Sequence, residues 1–191
     1  MRTRLPPVVL LLVLAAACVR PQHRPGLRAV EQAAFWHRLE QLCGRAYEGA
    51  VVEGNASDSV FRRSRLVMHV RDCAPGEIRI PFHVGGDRSR TWVVTHTAEG
   101  LRLKHDHRHA DGTPDSISWY GGDTRGQGMP ERQAFPADTF TARLVPAAAT
   151  NVWSLEIVPG ESFTYGLTRE STGRRFRVRF DLARPVPPPA P

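Results

Sequence analysis

Beyond residue 47 the chain alternates apolar and polar side chains in short runs, the two-residue period of half-buried strands. In 65-RLVMHVRDC-73 one parity is Leu66, Met68 and Val70; in 77-EIRIPFHVG-85 it is Ile78, Ile80, Phe82 and Val84. The stretches 91-TWVVTHT-97, 116-SISWY-120, 139-TFTARLV-145, 151-NVWSLEIV-158, 162-SFTYGLT-168 and 175-RFRVRFDL-182 behave likewise, as do 47–53 and 101–109. Pro-Gly at 75 and 159, Glu-Gly at 99, Asp-Gly at 111 and Ser-Thr-Gly at 171 separate them at hairpin spacing. Only 28-RAVEQAAFWHRLEQLCGRAY-47 has a helical period, with Val30, Ala34, Phe35, Leu39 and Leu42 on one side and Gly44 as its stop. About ten short strands after one helix predict an all-β chain, an antiparallel up-and-down barrel, because closure removes the exposed edges of a meander.

The ends depart from this pattern. Two arginines precede the apolar run Val8–Ala17 and small residues lead to Cys18, the layout of a secretory signal peptide over 1–17. The run is about half of what a membrane-spanning helix needs. Residues 18–26 then form a polar tether, 27–183 the helix and barrel, and 184–191 a Pro-rich tail expected to be disordered. Removal of Arg2 and Arg4 with the signal would lower the formal net charge from +7 to +5. Lys104 is the only lysine, so the basic balance is almost wholly arginine. In a chain carrying a secretory signal that charge points to anionic headgroups or other polyanions and not to nucleic acid. With Cys18 set aside, Cys43 and Cys73 remain as a pair for a disulfide in an oxidising compartment.

Three resemblances add to these readings. The segment 14-LAAAC-18 resembles the lipobox of bacterial lipoproteins, which implies acylation of Cys18 and membrane attachment through a lipid anchor. Val19, where an Asp would resemble an inner-membrane retention signal, implies an outer-membrane lipoprotein facing the periplasm, an ordinary secreted protein being the alternative. The meander looks like the calycin group, the lipocalins and their ligand-binding relatives, although in 44-GRAYEG-49 Tyr47 stands where the lipocalin first strand has Trp. The stretch 90-RTWVVTHTAEGLRLKHDHRHADG-112, with 120-YGGDT-124, resembles a group of uncharacterised bacterial secreted or lipoprotein sequences that carries no established activity.

The candidate chemistry lies in 101-LRLKHDHRHADG-112, where His105, His107 and His109 share the parity of Leu101 and Leu103. A hairpin turning at Glu99-Gly100 would pair His96 with Leu103, Val94 with His105 and Trp92 with His107. The opposite parity carries Thr91, Thr95, Arg102, Lys104, Asp106 and Arg108, which belongs in water, so the histidines face inward. Three roles are open to them. They can bond internal water and hydroxyls, orient an apolar ligand, or hold a metal or haem. The ligand reading uses Trp92, His96, His105, His107 and Trp119 as wall residues. The metal reading uses His105, His107 and His109, with His96 as a further donor. A barrel filled by its own side chains would leave a ligand no room.

No catalytic arrangement stands out: there is no H-E-x-x-H, no G-x-S-x-G and no apolar pair of carboxylates. The Gly-rich 121-GGDTRGQG-128 precedes no apolar helix and reads as a loop over the barrel mouth. In 174-RRFRVRFDL-182 the outward Arg175, Arg177 and Arg179 are expected to meet acids on neighbouring strands, or else to form an anion-binding stripe for another envelope component. The sequence thus favours a monomeric, non-catalytic envelope protein that binds a small apolar ligand.

Overall fold

A computed structural model describes residues 30–190. The expected signal peptide, the Cys18 anchor and the tether lie outside the described residues. Helix α1 (Val30–Glu40) is followed by strand β1 (Ala46–Glu53), a short helix α2 (Ser59–Arg63), and strands β2 (Leu66–His69), β3 (Asp72–Ala74) and β4 (Glu77–Val84). Then come β5 (Asp87–Thr97), β6 (Gly100–His107), β7 (Tyr120–Asp123), β8 (Arg132–Pro136) and helix α3 (Thr139–Leu144). Strands β9 (Asn151–Val158), β10 (Ser162–Arg169) and β11 (Arg174–Val186) complete the chain. Every named strand pair is antiparallel, in the order β7-β6-β5-β4-β2-β1-β11-β10-β9-β8. Because β2 and β3 both pair with β4 end to end, they act as one broken strand. The path is the up-and-down meander expected from the alternation, bent into a nearly closed barrel.

The seam lies between β7 and β8, where Gly122 and Ala137 form a single bridge. A Cβ on Gly122 would stand 1.7 Å from the Pro136 carbonyl oxygen, so only glycine allows this approach. Next to it the fully buried Thr141 of α3 donates its hydroxyl to the Gly121 carbonyl and accepts from the Gly121 N–H, both at 2.7 Å. A side chain therefore satisfies backbone groups that a strand would have paired. This corrects the strand expected over 139–145: Asp138 accepts from the Thr141 N–H at 2.8 Å and starts a helix instead. The strand expected over 116–120 begins only at Tyr120, and β8 was not anticipated. Far from a free loop, Gly121 and Gly122 belong to β7.

α1 covers one end of the barrel. Phe35, Trp36 and Leu39 are buried, but Val30 is 81% exposed, so the inner stripe is rotated from the one expected. The buried Gln32 takes part, donating to Thr124 Oγ1 and to the Gly126 carbonyl at 3.0 and 2.9 Å. The Cys43–Cys73 disulfide forms as expected and ties the end of α1 to β3. Closing a loop of 30 residues is worth about 3–4 kcal/mol in chain entropy. At its other extremity β11 bulges over residues 181–184 and resumes pairing, Pro185 with Tyr47 and Val186 with Ala46. Residues 184–186 are thus strand and not the start of a disordered tail.

Inside, rings fill most of the barrel. Trp92 stacks on Phe82 (centroids 4.7 Å) and on Tyr165 (4.5 Å), and Phe163 and Phe180 pack edge to face behind them. Outside, Arg177 and Arg179 meet Glu156 and Glu161, and Arg175 stands 4.0 Å from Glu53, the cross-strand pairing expected of a solvated face.

Candidate functional site

The end opposite α1 carries the site. Residues 54–64 join β1 to β2 as a strap across this end, with α2 at its centre. Asn55 accepts from the Ser57 N–H, and Asp58 accepts from the Asn55 N–H at 2.9 Å, a capping box that makes the strap turn. Asp58 is 2% exposed and pairs with Arg174 of β11 at 2.6 Å, which fastens the strap to the far wall. Phe61 is thereby held over the barrel, 5.1 Å from Phe176 and 6.2 Å from Phe82 between ring centroids.

The histidine parity holds, with a different register. The hairpin turns at Ala98-Glu99, so Trp92 pairs with His105, Val94 with Leu103, His96 with Leu101 and Arg90 with His107. This is a shift of two residues, which moves each partner yet keeps every side chain on its face. Gly100 lies inside β6, where a Cβ would come within 2.5 Å of Thr124 Oγ1; the glycine serves close approach and not the turn.

His105 is 3% exposed. Its Nδ1 lies 3.1 Å from the Tyr120 carbonyl oxygen and its Nε2 2.9 Å from the Tyr165 hydroxyl. A carbonyl only accepts, so Nδ1 carries the proton and Nε2 accepts from Tyr165. Burial pushes the His105 pKa down to about 3, and the imidazole is neutral at physiological pH. The Tyr120 ring stacks on it at 4.5 Å, and the Tyr120 hydroxyl reaches His107 Nε2 at 3.0 Å. Burial, aided by the Arg90 charge, lowers the His107 pKa, and burial pushes Tyr120 up to about 12. Tyr165 rises well above the ordinary phenol value for the same reason. All four side chains are neutral near pH 7.

Between these groups and the strap lies a cavity of about 140 Å³. Its walls are Phe82, Trp92, Tyr165, Tyr120, His105 and His107, with Leu167 and Phe176 opposite; Phe61, Arg90, Thr91 and the Asp58–Arg174 pair close the mouth. The Arg90 guanidinium sits 5.7 Å over the Phe61 ring and is ion-paired to Asp87. A larger hollow, about 770 Å³, lies on the outer face over the β11 bulge, between Glu48–Val52 and Arg179–Val186. It is a trough open to solvent, lined in part by exposed ionic side chains, and we place no site there.

Of the residues expected to line the site, Trp92, His105 and His107 do so. His96 faces inward but at the α1 end, with its ring 4.0 Å from Trp36 and its buried Nε2 without a hydrogen-bond partner. Trp119 takes φ +62°, a left-handed turn that puts its ring on the outer face near the Arg79 guanidinium and leaves Tyr120 to enter the barrel. Trp119 is therefore not a wall residue. His109 is exposed beyond the end of β6. With His105 enclosed and both its nitrogens bonded, the three histidines do not converge. Among the described residues no three His, Cys, Asp or Glu side chains are grouped to hold a metal ion. Asp106, expected in water, is 3% exposed instead: Arg79, Arg108 and the Ser118 hydroxyl surround it.

Tyr120, Tyr165, Phe61 and the Asp58–Arg174 pair also line the pocket and were not among the residues expected there. Tyr165 was readable, since Phe163, Tyr165 and Leu167 share one parity. Arg90 likewise shares the parity of Trp92. Phe61 left no signal, because a one-turn helix inside a connection has no period to detect. The chain matches no protein-family model, and no curated protein and no solved structure is significantly similar to it, so the chemistry of the pocket carries the functional argument.

Proposed function

We propose that this protein is a non-catalytic binding module of the bacterial envelope that takes a small, mainly apolar ligand into the strap end of its barrel. The observation that carries this reading is the cavity of about 140 Å³ among the inward aromatic rings, beneath the strap. An apolar cavity of about 150 Å³ holds benzene in another protein, so the volume suits one ring or a short chain, not a fatty acid or a haem. Aromatic faces supply the contact area, and His107, with one ring nitrogen on Tyr120, supplies a placed polar atom of the kind such pockets use for orientation. The neutral, doubly bonded His105 is poorly set to be a general base, which supports binding over catalysis. The arginine stripe favours no second reading, because Arg177 and Arg179 already have carboxylate partners. Attachment through an acylated Cys18 belongs to the same proposal and rests on 14-LAAAC-18.

A fragment screen by saturation-transfer NMR tests it, run on the natural chain and on Leu167→Trp, whose indole would occupy the cavity. Expected are bound fragments of fewer than about ten heavy atoms, lost in the variant while its thermal unfolding stays cooperative. Absence of any fragment that depends on the pocket would overturn the proposal.

A further inference from the structure

The walls also restrict what kind of small molecule fits. Phe61, Phe82, Trp92 and Tyr165 are nearly parallel in succession, with interplanar angles of 1°, 19° and 9°. Their centroid spacings are 6.2, 4.7 and 4.5 Å, so the loosest step is the one that involves the strap. Trp92 has both faces covered by Phe82 and Tyr165, so the parallel faces open to a guest are those of Phe61 and Phe82 across the wider step, and a flat guest between them gains about 0.5–1.5 kcal/mol beyond buried area for each aromatic pair. The charges at the mouth are matched: Arg174 with the buried Asp58, and Arg90 with Asp87. An anionic guest would compete with these carboxylates for the two guanidinium groups. A cationic one would meet an arginine on either side.

Resting on the ligand-binding reading above, we propose that the pocket selects small, uncharged, planar aromatic molecules, with Phe61 as its movable wall. Entry requires the strap to shift Phe61 away from Phe82, while Trp92 and Tyr165, packed into the core, stay fixed. Phe61 is thus a specificity residue, and His107 offers the guest its hydrogen bond: one ring nitrogen is engaged by Tyr120 and Nδ1 is left.

Calorimetric titration of the folded chain with four probes separates this claim from the general one. Benzamide against benzoate compares a neutral with an anionic ring of one shape, and indole against 1-octanol compares a flat guest with a flexible chain. The expected result is at least tenfold tighter binding of benzamide than of benzoate, and of indole than of 1-octanol. Phe61→Ala should weaken indole about tenfold and narrow its margin over 1-octanol; Phe61→Tyr, which keeps the ring, should restore both. Benzoate or 1-octanol binding as tightly as its partner, with the binding lost in Leu167→Trp, would overturn the aromatic selectivity and leave the ligand-binding reading standing. No binding by any probe would overturn both. Indole affinity unchanged in Phe61→Ala would remove Phe61 from the site.

Discussion

His105 shows how one side chain couples stability to pH. Its folded pKa is depressed by burial to about 3, below the ordinary 6.5, so between those values the unfolded chain binds the proton that the folded chain refuses. Its contribution is fully present above pH 6.5 and is lost as pH falls toward 3, with a slope approaching 1.4 kcal/mol per pH unit. His83, lowered to about 4 chiefly by burial and then by Arg88, adds in the same direction. Urea unfolding at pH 7 and pH 5 should therefore show a clear loss of stability in acid, and His105→Gln should flatten that dependence. An unchanged slope in the variant would show that the buried imidazole is not what couples folding to protons. At this scale parity was legible from the sequence and pairing was not. The alternation of 91–109 places His105 inside whichever two-residue turn is chosen. The turn that forms brings Gly100 against Gln32 and Thr124, contacts from distant parts of the chain that the alternation does not show.

Among the elements, the strap is the one that must both hold and move. Its anchor is the Asp58–Arg174 pair, with Asp58 2% exposed and the Arg174 side chain 25% exposed. Replacing Arg174 by Met would leave a buried carboxylate without its cation, a cost of about 1–3 kcal/mol once the solvent around Arg174 is allowed for. The expected outcome is faster amide hydrogen exchange across 56–63, about tenfold or more, with exchange in β4, β5 and β10 little changed. Uniform acceleration throughout the barrel would mean that the pair supports the fold as a whole and not the strap. Elements with a strong period, such as α1, β4, β9 and β11, could be read in the sequence. α2, α3 and β7 could not, because local caps and tertiary hydroxyl bonds define them: Asn55 and Asp58 shape the strap, and Thr141 stands in for a strand at the seam.

For the whole molecule, a meander of consecutive antiparallel strands closes by a single bridge at Gly122–Ala137, one end is stoppered by a disulfide-tied helix and the other is crossed by a latched strap. Large rings occupy the middle, and a small cavity lies beneath the strap. The sequence made the barrel and its inward histidines legible. It gave no sign that the interior would be mostly full, since alternation tells which face a ring takes and not how rings from opposite walls meet. The most direct test of a standing apolar cavity is diffraction from crystals pressurised with xenon, a probe that fills such spaces without hydrogen bonds. One xenon bounded by Phe61, Trp92 and Leu167 is expected, absent in Leu167→Trp. A natural chain with no xenon there, and Phe61 collapsed onto Trp92, would contradict it.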